Sequence, residues 1–376
     1  MADVDRILIV GGGIGGLSLG TALHRQGYIP EIVERSTAWP AVGAGINLPA
    51  NGVRVLRTLG LGEAIDRNAA VLRSWGFFDQ HGERLCATDL VDLWRHVGPC
   101  LGITRVRLQE ALLTGAASVS HRLGVSLTGL TQEDRRVAVR FSDGTSGTYD
   151  LVVGADGINS TVRALTISAA PPRYAGTMVW RSLVSTRSDR LVDEMMVLMG
   201  EGCVFGLVPM GGGATYGFGT VDAERFVDAL EGRLARFRRR FAVFGGPVPA
   251  YLAALQDDEQ LHVGPIEWVE LTAWHHGRVV LSGDAAHAGP PHMGEGGCMA
   301  MEDALVLAEV LHRAASVEDA LETYVQRRRP RAEWVQTQSR AAARAWVLPS
   351  GARNAALRER GDEMFRERYR PLIPVP

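Results

Sequence analysis

RILIVGGGIGGLSLGTALHRQGYIPEIVER, residues 6–35, decides how the chain begins to fold. The apolar run Ile7 to Val10 has the length and composition of a buried strand, and the glycines after it end that strand. The next stretch reads as a helix as far as Gln26, where Gly27 stops it. A second strand, Glu31 to Glu34, completes a strand–turn–helix–strand unit. In such a unit Gly11 permits the tight turn, Gly13 lets the backbone approach a pyrophosphate, and Gly16 lets helix and strand lie close together. The helix start offers unpaired amide donors and a partial positive charge to that anion. Glu34 stands eighteen residues past Gly16, where a carboxylate accepts hydrogen bonds from ribose hydroxyls and repels a 2′-phosphate. The expected ligand is therefore FAD or NAD rather than NADP. A plain glycine turn followed by a surface glutamate is the alternative, and the order of elements argues against it.

Two later segments choose between the dinucleotides: DLVVGADGINSTVR at 150–163 and RVVLSGDAAHAGPPHMGEGGCMAMEDA at 278–304. Together with the first segment, in residue type and order, they resemble the class A flavoprotein monooxygenases. This is the family of single-component aromatic hydroxylases that includes salicylate, 3-hydroxybenzoate and urate hydroxylases. The match runs from Arg6 to about Arg329. The resemblance implies noncovalent FAD and an α/β fold, in which a Rossmann-like FAD-binding domain is interleaved with a smaller β-sheet substrate domain and followed by C-terminal helices. It further implies that Asp156, in the Asp-Gly pair, helps order the FAD and pyridine-nucleotide region, and that Asp284, after Gly283, holds the ribityl chain. Arg35 follows the ribose carboxylate and joins the cofactor residues. Arg105, in Ile103-Thr104-Arg105-Val106-Arg107-Leu108, becomes a flavin contact, although Thr104 stands where many members have histidine. Pro291, Gly294, Gly296 and Gly297 fall where the family lays its backbone against the isoalloxazine ring.

That last stretch also has a reading of its own. Glycines at 294, 296 and 297 let backbone approach a flat ligand, and Cys298 to Arg313 then reads as a helix with Met299, Leu305, Val306 and Val310 available for burial. Its N-terminus would favour the charge that accumulates on a reduced flavin. Glu302-Asp303 is equally consistent with a solvated acidic pair that merely suits the helix dipole.

Composition narrows the class. A chain of 376 residues can bury a large core and fits two domains. Net charge is −2, with no basic stripe, which argues against nucleic acid as a partner. Cys86, Cys100, Cys203 and Cys298 have neither CxxC nor zinc spacing, so no metal and a reducing, cytoplasmic setting are expected. Because the first strand begins at once, no signal peptide is expected, and no apolar run reaches membrane-spanning length. All 40 cationic residues are arginine. Without a lysine amine, Schiff-base chemistry and P-loop phosphoryl transfer are excluded, as are the fold-related flavin halogenases that depend on a lysine.

The stretches between the flavin segments differ in character. Residues 171–265 carry strand-like runs at Tyr174 to Ser185, Met195 to Met199, Cys203 to Met210 and Thr215 to Thr220, punctuated by Gly211-Gly212-Gly213. Residues 71–97 are expected in the same sheet, because Trp75-Gly76-Phe77-Phe78 before Asp79-Gln80-His81-Gly82 reads as strand and turn. The expected division is thus 1–70, 98–170 and 266–345 for FAD, 71–97 and 171–265 for substrate, and 346–376 as a C-terminal helical segment. Asp222 to Phe241 has helical spacing, with Arg233, Arg236 and Arg238 to Arg240 on a solvated face.

The family mechanism implied by the resemblance is reduction of FAD by NADH or NADPH, then O2 capture as a flavin C4a-hydroperoxide that hydroxylates an aromatic or polycyclic small molecule. No second GxGxxG unit is present for the nicotinamide, in keeping with transient binding of the reductant. An epoxidase or ring-modifying enzyme using the same oxidant remains an alternative, and a non-catalytic carrier on the same fold is a third. A monomer or homodimer is expected. Arg181 is either a substrate anchor or an interdomain structural residue. Met178, Met195, Met196, Met199 and Met210 suit an irregular apolar ligand or ordinary core packing. His292 stands where asparagine or aspartate is more usual, and with an ordinary imidazole pKa it would accept a phenolic proton.

Overall fold

In the computed structural model, which describes residues 4–39, 44–185 and 191–376, the strand Ile7–Val10 is buried at every position, inside a six-stranded sheet. The order across that sheet is His275–His276, Val279–Leu281, Leu151–Gly154, Ile7–Val10, Pro30–Glu34, Ser120–Leu123. Every pairing is parallel except that between the first two strands. Parallel strands end on a common edge, so Gly11 after Val10, Asp156 after Gly154 and Gly283 after Leu281 arrive together. Segments far apart in the chain meet for this reason.

Two glycines make the first turn possible. Gly11 takes φ +108°, and a Cβ there would lie 2.4 Å from the Ala155 carbonyl oxygen. At Gly16 a Cβ would lie 1.9 Å from the Gly11 oxygen, so only glycine brings helix Ile14–Arg25 this close to its strand.

A second, seven-stranded sheet runs His262–Trp268, Arg173–Val184, Thr215–Asp222, Cys203–Pro209, Glu194–Met199, Ser74–Asp79, Arg84–Asp89. The two N-terminal strands join it through a parallel pairing of Ser74–Asp79 with Glu194–Met199. Strand alternation gives the sheet two different faces. On one, Trp180, Phe205 and Leu207 pack with Phe237, Phe241 and Tyr251 of the short helices Arg233–Phe241 and Val248–Ala254. On the other, Val179, Arg181, Tyr216 and Phe218 line a cavity. The methionines divide the same way: Met178 and Met196 belong to the helix-covered core, Met199 and Met210 to a second apolar cluster, and Met195 lines the cavity.

The expected helix from Asp222 to Phe241 forms only in its second half. Only Arg233–Phe241 is helical, because tertiary polar contacts outcompete helix formation upstream. Buried Asp228 accepts hydrogen bonds from Trp180 Nε1 (2.7 Å) and Arg236 Nε (2.8 Å), while Asp258 caps the helix by accepting from the Gly232 and Leu234 amides. Several of the arginines are not simply solvated. Arg233 bonds the Leu261 and Asp228 carbonyls, and Arg238 those of Leu252 and Leu255.

Two long helices close the chain, Val317–Trp346 and Ser350–Tyr369. The second packs on the N-terminal strands of the seven-stranded sheet, with the Phe365 and Trp75 rings 5.1 Å apart. Among the described residues no helix is long and apolar enough to cross a membrane.

Candidate active site

The shared edge of the six-stranded sheet opens into a cavity of about 250 Å³ lined by Gly11, Gly13, Glu34, Arg35, Asp156 and Gly157. Nothing lies within 4 Å of where a Gly13 Cβ would stand, and the helix beginning at Ile14 has no side-chain cap. Its first amides therefore remain available to an anion. Glu34 is held by the Gly12 amide (2.8 Å) and the Ser36 amide (2.9 Å). Burial opposes its ionisation, but those hydrogen bonds and Arg35 outweigh it, and the carboxyl is held below its usual range. Gln109, which no local pattern marked, fixes the loop by donating to the Gly12 carbonyl at 3.2 Å.

Asp156 reaches this cavity, yet its oxygens are engaged by Ser160 Oγ and by the Thr161 and Val162 amides. The carboxylate thus shapes its own loop and the start of helix Thr161–Thr166. Buried Arg163 extends this bracing by donating to the Ile158 and Ala285 carbonyls, which ties the 156–163 loop to the Gly283-Asp284 turn.

A second cavity, about 300 Å³, brings together Arg105, Arg181, Asp284, Pro291, His292, Gly294, Gly296 and Gly297. Trp75, Tyr216, Phe218 and Trp346 supply aromatic walls. Arg105 is the first residue of helix Arg105–Gly115, where Thr104 serves as the N-cap by accepting from the Arg107 amide. Arg181 projects from mid-strand. Burial pushes the Tyr216 hydroxyl up, against the pull of the Arg181 and Arg105 guanidiniums beside it. Helix Gly296–Arg313 starts two glycines earlier than the apolar pattern indicated and has no side-chain cap, leaving its amide end open. The Asp284 carboxylate stands next to it, 3.8 Å from where a Gly296 Cβ would be.

His292 packs edge-on against Trp346, ring centroids 4.6 Å apart, and its buried Nδ1 has no partner. Burial, with Arg368 nearby, pushes its pKa down to about 4. The expectation of an ordinary imidazole pKa is therefore wrong: His292 is neutral at neutral pH, a hydrogen-bonding group and a weak base.

Glu302 and Asp303 are also not a solvated pair, since both are fully buried. Arg328 donates to Glu302 and to Asp303, each at 2.7 Å, and Arg331 adds two bonds to Glu302. Asp303 in turn accepts from the Gly283 amide (2.9 Å) and contacts His287 Nε2 (2.6 Å). Burial would raise both carboxyls, but the guanidiniums and His287 hold them low. The Gly283-Asp284 turn thus hangs from a buried ionic cluster whose arginines lie in an ordinary-looking run in the sequence.

Two cavities, each at an open helix N-terminus, with a carboxylate held by backbone amides in the first, suit a dinucleotide-binding protein. The FAD binding domain family matches residues 4–222 and 254–339. The chain belongs to this family and, within it, to the class A aromatic hydroxylases; FAD is its cofactor. It is 36% identical to an aurachin C monooxygenase/isomerase of Stigmatella aurantiaca over 85% of this chain and 83% of that one. It is 33% identical to an FAD-dependent urate hydroxylase of Klebsiella pneumoniae subsp. pneumoniae over 85% and 84% of the two chains. The crystal structure of Klebsiella pneumoniae HpxO complexed with FAD and uric acid superposes with a TM-score of 0.90 at 30% identity, covering 99% of this chain and 97% of that one. The protein is accordingly an oxidoreductase, and the carrier reading falls.

Proposed function

We propose that this protein uses NADH or NADPH and O2 to hydroxylate an aromatic or polycyclic small molecule. The observation that carries the reading is the aromatic-walled cavity beside the Gly294–Gly297 turn and an uncapped helix N-terminus. Bound FAD would supply the chemistry, taking electrons from the nicotinamide and activating O2. The chain's own tasks are to hold that ring, orient the substrate and exclude water.

In this reading Gly11, Gly13, Gly16, Glu34, Arg35 and Asp156 form the nucleotide end. Arg105, Gly283, Asp284, Pro291, Gly294, Gly296 and Gly297 form the ring end. Arg181 anchors a polar or phenolate edge of the substrate, and His292 offers Nδ1 to a substrate hydrogen bond. Residues 71–97 and 171–265 act as the substrate unit on the FAD-binding remainder, with 346–376 as a helical extension. We place the protein in the cytoplasm as a monomer or homodimer.

The deciding experiment is a panel of phenols, heteroaromatics and polycyclics screened for stimulated NAD(P)H oxidation under ¹⁸O2, with products weighed by mass spectrometry. Gain of one labelled oxygen supports the proposal; stimulated oxidation giving only hydrogen peroxide with every compound overturns it. The relative named as a monooxygenase/isomerase favours one second reading, in which oxygen insertion is followed by ring modification. NMR of the labelled product separates a phenol from an epoxide or rearranged skeleton.

A further inference from the structure

Glu295 stands between two cavity-lining glycines, at the start of helix Gly296–Arg313, and is 1% exposed. Its Oε2 accepts a hydrogen bond from Asn51 Nδ2 at 2.9 Å. Asn51, fully buried in helix Ala50–Thr58, also donates to Glu302 Oε1 at 3.1 Å. Two atoms of this pair are left buried without partners, Glu295 Oε1 and Asn51 Oδ1. Both are acceptors if the carboxyl is ionised, so neither can satisfy the other. Two unsatisfied buried acceptors in one contact are costly.

The charges nearby point the same way. Glu302 and Asp303 are balanced by Arg328 and Arg331. An ionised Glu295 would add a third buried carboxylate beside Glu302. Among the described residues Arg331 is the one cation acting on Glu295, and its attraction is outweighed because both of its carboxylate hydrogen bonds go to Glu302. The remaining titratable groups facing Glu295 bring no charge. They are Cys298 on its own helix, Cys100 on strand Cys100–Thr104 and Tyr369 on helix Ser350–Tyr369, and all three are held neutral by burial.

We propose that Glu295 carries a proton in the folded protein and forms a neutral acid–amide pair with Asn51, Oε1–H donating to Oδ1 while Nδ2–H donates to Oε2. One proton then satisfies both orphaned atoms. Glu295 is a positioning residue: the pair clamps the Gly294–Gly297 turn to helix Ala50–Thr58 and leaves the positive end of helix Gly296–Arg313 undiminished for an electron-rich ligand. Burial, the largest influence, and nearby Glu302 hold the carboxyl up to about 8, so the proton is present at neutral pH. Its loss at higher pH places a negative charge at the helix start and disfavours the reduced, anionic cofactor. This last consequence rests on the FAD reading; the proton itself does not.

The test uses the FAD-loaded protein. In the infrared, the wild type at neutral pH should show a carboxylic-acid C=O band that Glu295→Gln lacks and that titrates away around pH 8. In Asn51→Ala the band should move to higher frequency as its partner is lost. The FAD midpoint potential of wild type should match that of Glu295→Gln at neutral pH and fall below it well above pH 8, whereas a purely structural glutamate would leave the difference constant. Absence of any acid band assignable to Glu295, or a pH-independent difference in potential, overturns the proposal. If Glu295→Gln fails to accumulate, the wild-type band and its shift in Asn51→Ala decide alone. A protein that cannot bind FAD would sink the cofactor reading yet leave the infrared test standing.

Discussion

Arg328 Nε meets Asp303 Oδ1 at 2.7 Å with both side chains fully buried. The same guanidinium holds Glu302, and Asp303 holds the Gly283 amide, so one side chain on the long C-terminal helix braces the turn that ends in Asp284. Replacing Arg328 by methionine keeps much of the volume and leaves buried carboxylates short of a partner. Loss of one partner from such a cluster costs about 3–5 kcal/mol. Urea denaturation of Arg328→Met should show a deficit of that order, together with weaker FAD retention on dilution. A stability within experimental error of the wild type would mean that the cluster relaxes without it.

His292 gives a pH signature of defined sign. Its folded pKa of about 4 lies below the ordinary 6.5, so the unfolded chain binds a proton that the folded chain refuses. Stability present above pH 6.5 is therefore lost as pH falls toward 4, by at most about 3 kcal/mol from this group. His292→Phe should lack that part of the acid sensitivity, which denaturation curves across the window would reveal. In turnover, no limb near pH 6.5 should vanish in His292→Ala, while coupling of NAD(P)H oxidation to product should drop if Nδ1 orients the substrate.

What was legible in the sequence follows the range of the interactions. Strand Ile7–Val10, its glycine turn and helix Ile14–Arg25 depend on neighbours in the chain, and their bounds differ from expectation by a residue. The parallel order of the sheet then brought the later motifs to the same edge. Asn51 and Glu295, in contrast, are 244 residues apart, and nothing around Asn51 in the sequence marks a polar clamp. Arg328 sits in the run Arg327-Arg328-Arg329, which reads as a wet helix face until the facing carboxylates are seen. The stretch before Arg233 misled for a related reason: its spacing suits a helix, but Asp228 uses its oxygens on Trp180 and Arg236, and the helix begins only where Asp258, from later in the chain, accepts from the Gly232 and Leu234 amides.

Arg181 should separate substrate binding from cofactor binding. It lines the aromatic cavity and is absent from the lining of the nucleotide cavity. A charge-assisted hydrogen bond contributes about 1.5–3 kcal/mol, so Arg181→Met should raise KM for an acidic or phenolic substrate roughly 10- to 100-fold. FAD affinity, followed by flavin fluorescence, should change little. Equal losses in both would assign Arg181 to the seam between the sheets.

Gly13 and Gly16 belong to one motif but should fail differently as alanine. A Cβ at Gly16 would stand 1.9 Å from the Gly11 carbonyl oxygen, a backbone atom with no freedom to withdraw. Gly16→Ala must therefore push helix Ile14–Arg25 off its strand, an overpacking that costs about 1–3 kcal/mol and distorts the turn. At Gly13 the added methyl meets nothing within 4 Å and enters the cavity that we propose takes the pyrophosphate. Gly13→Ala should melt at the wild-type temperature when both are stripped of FAD, yet bind the cofactor more weakly. Gly16→Ala should melt lower with or without it. Calorimetry of the apo and FAD-loaded forms distinguishes the two, and a Gly13→Ala protein that binds FAD at full strength would show that the anion does not approach this amide.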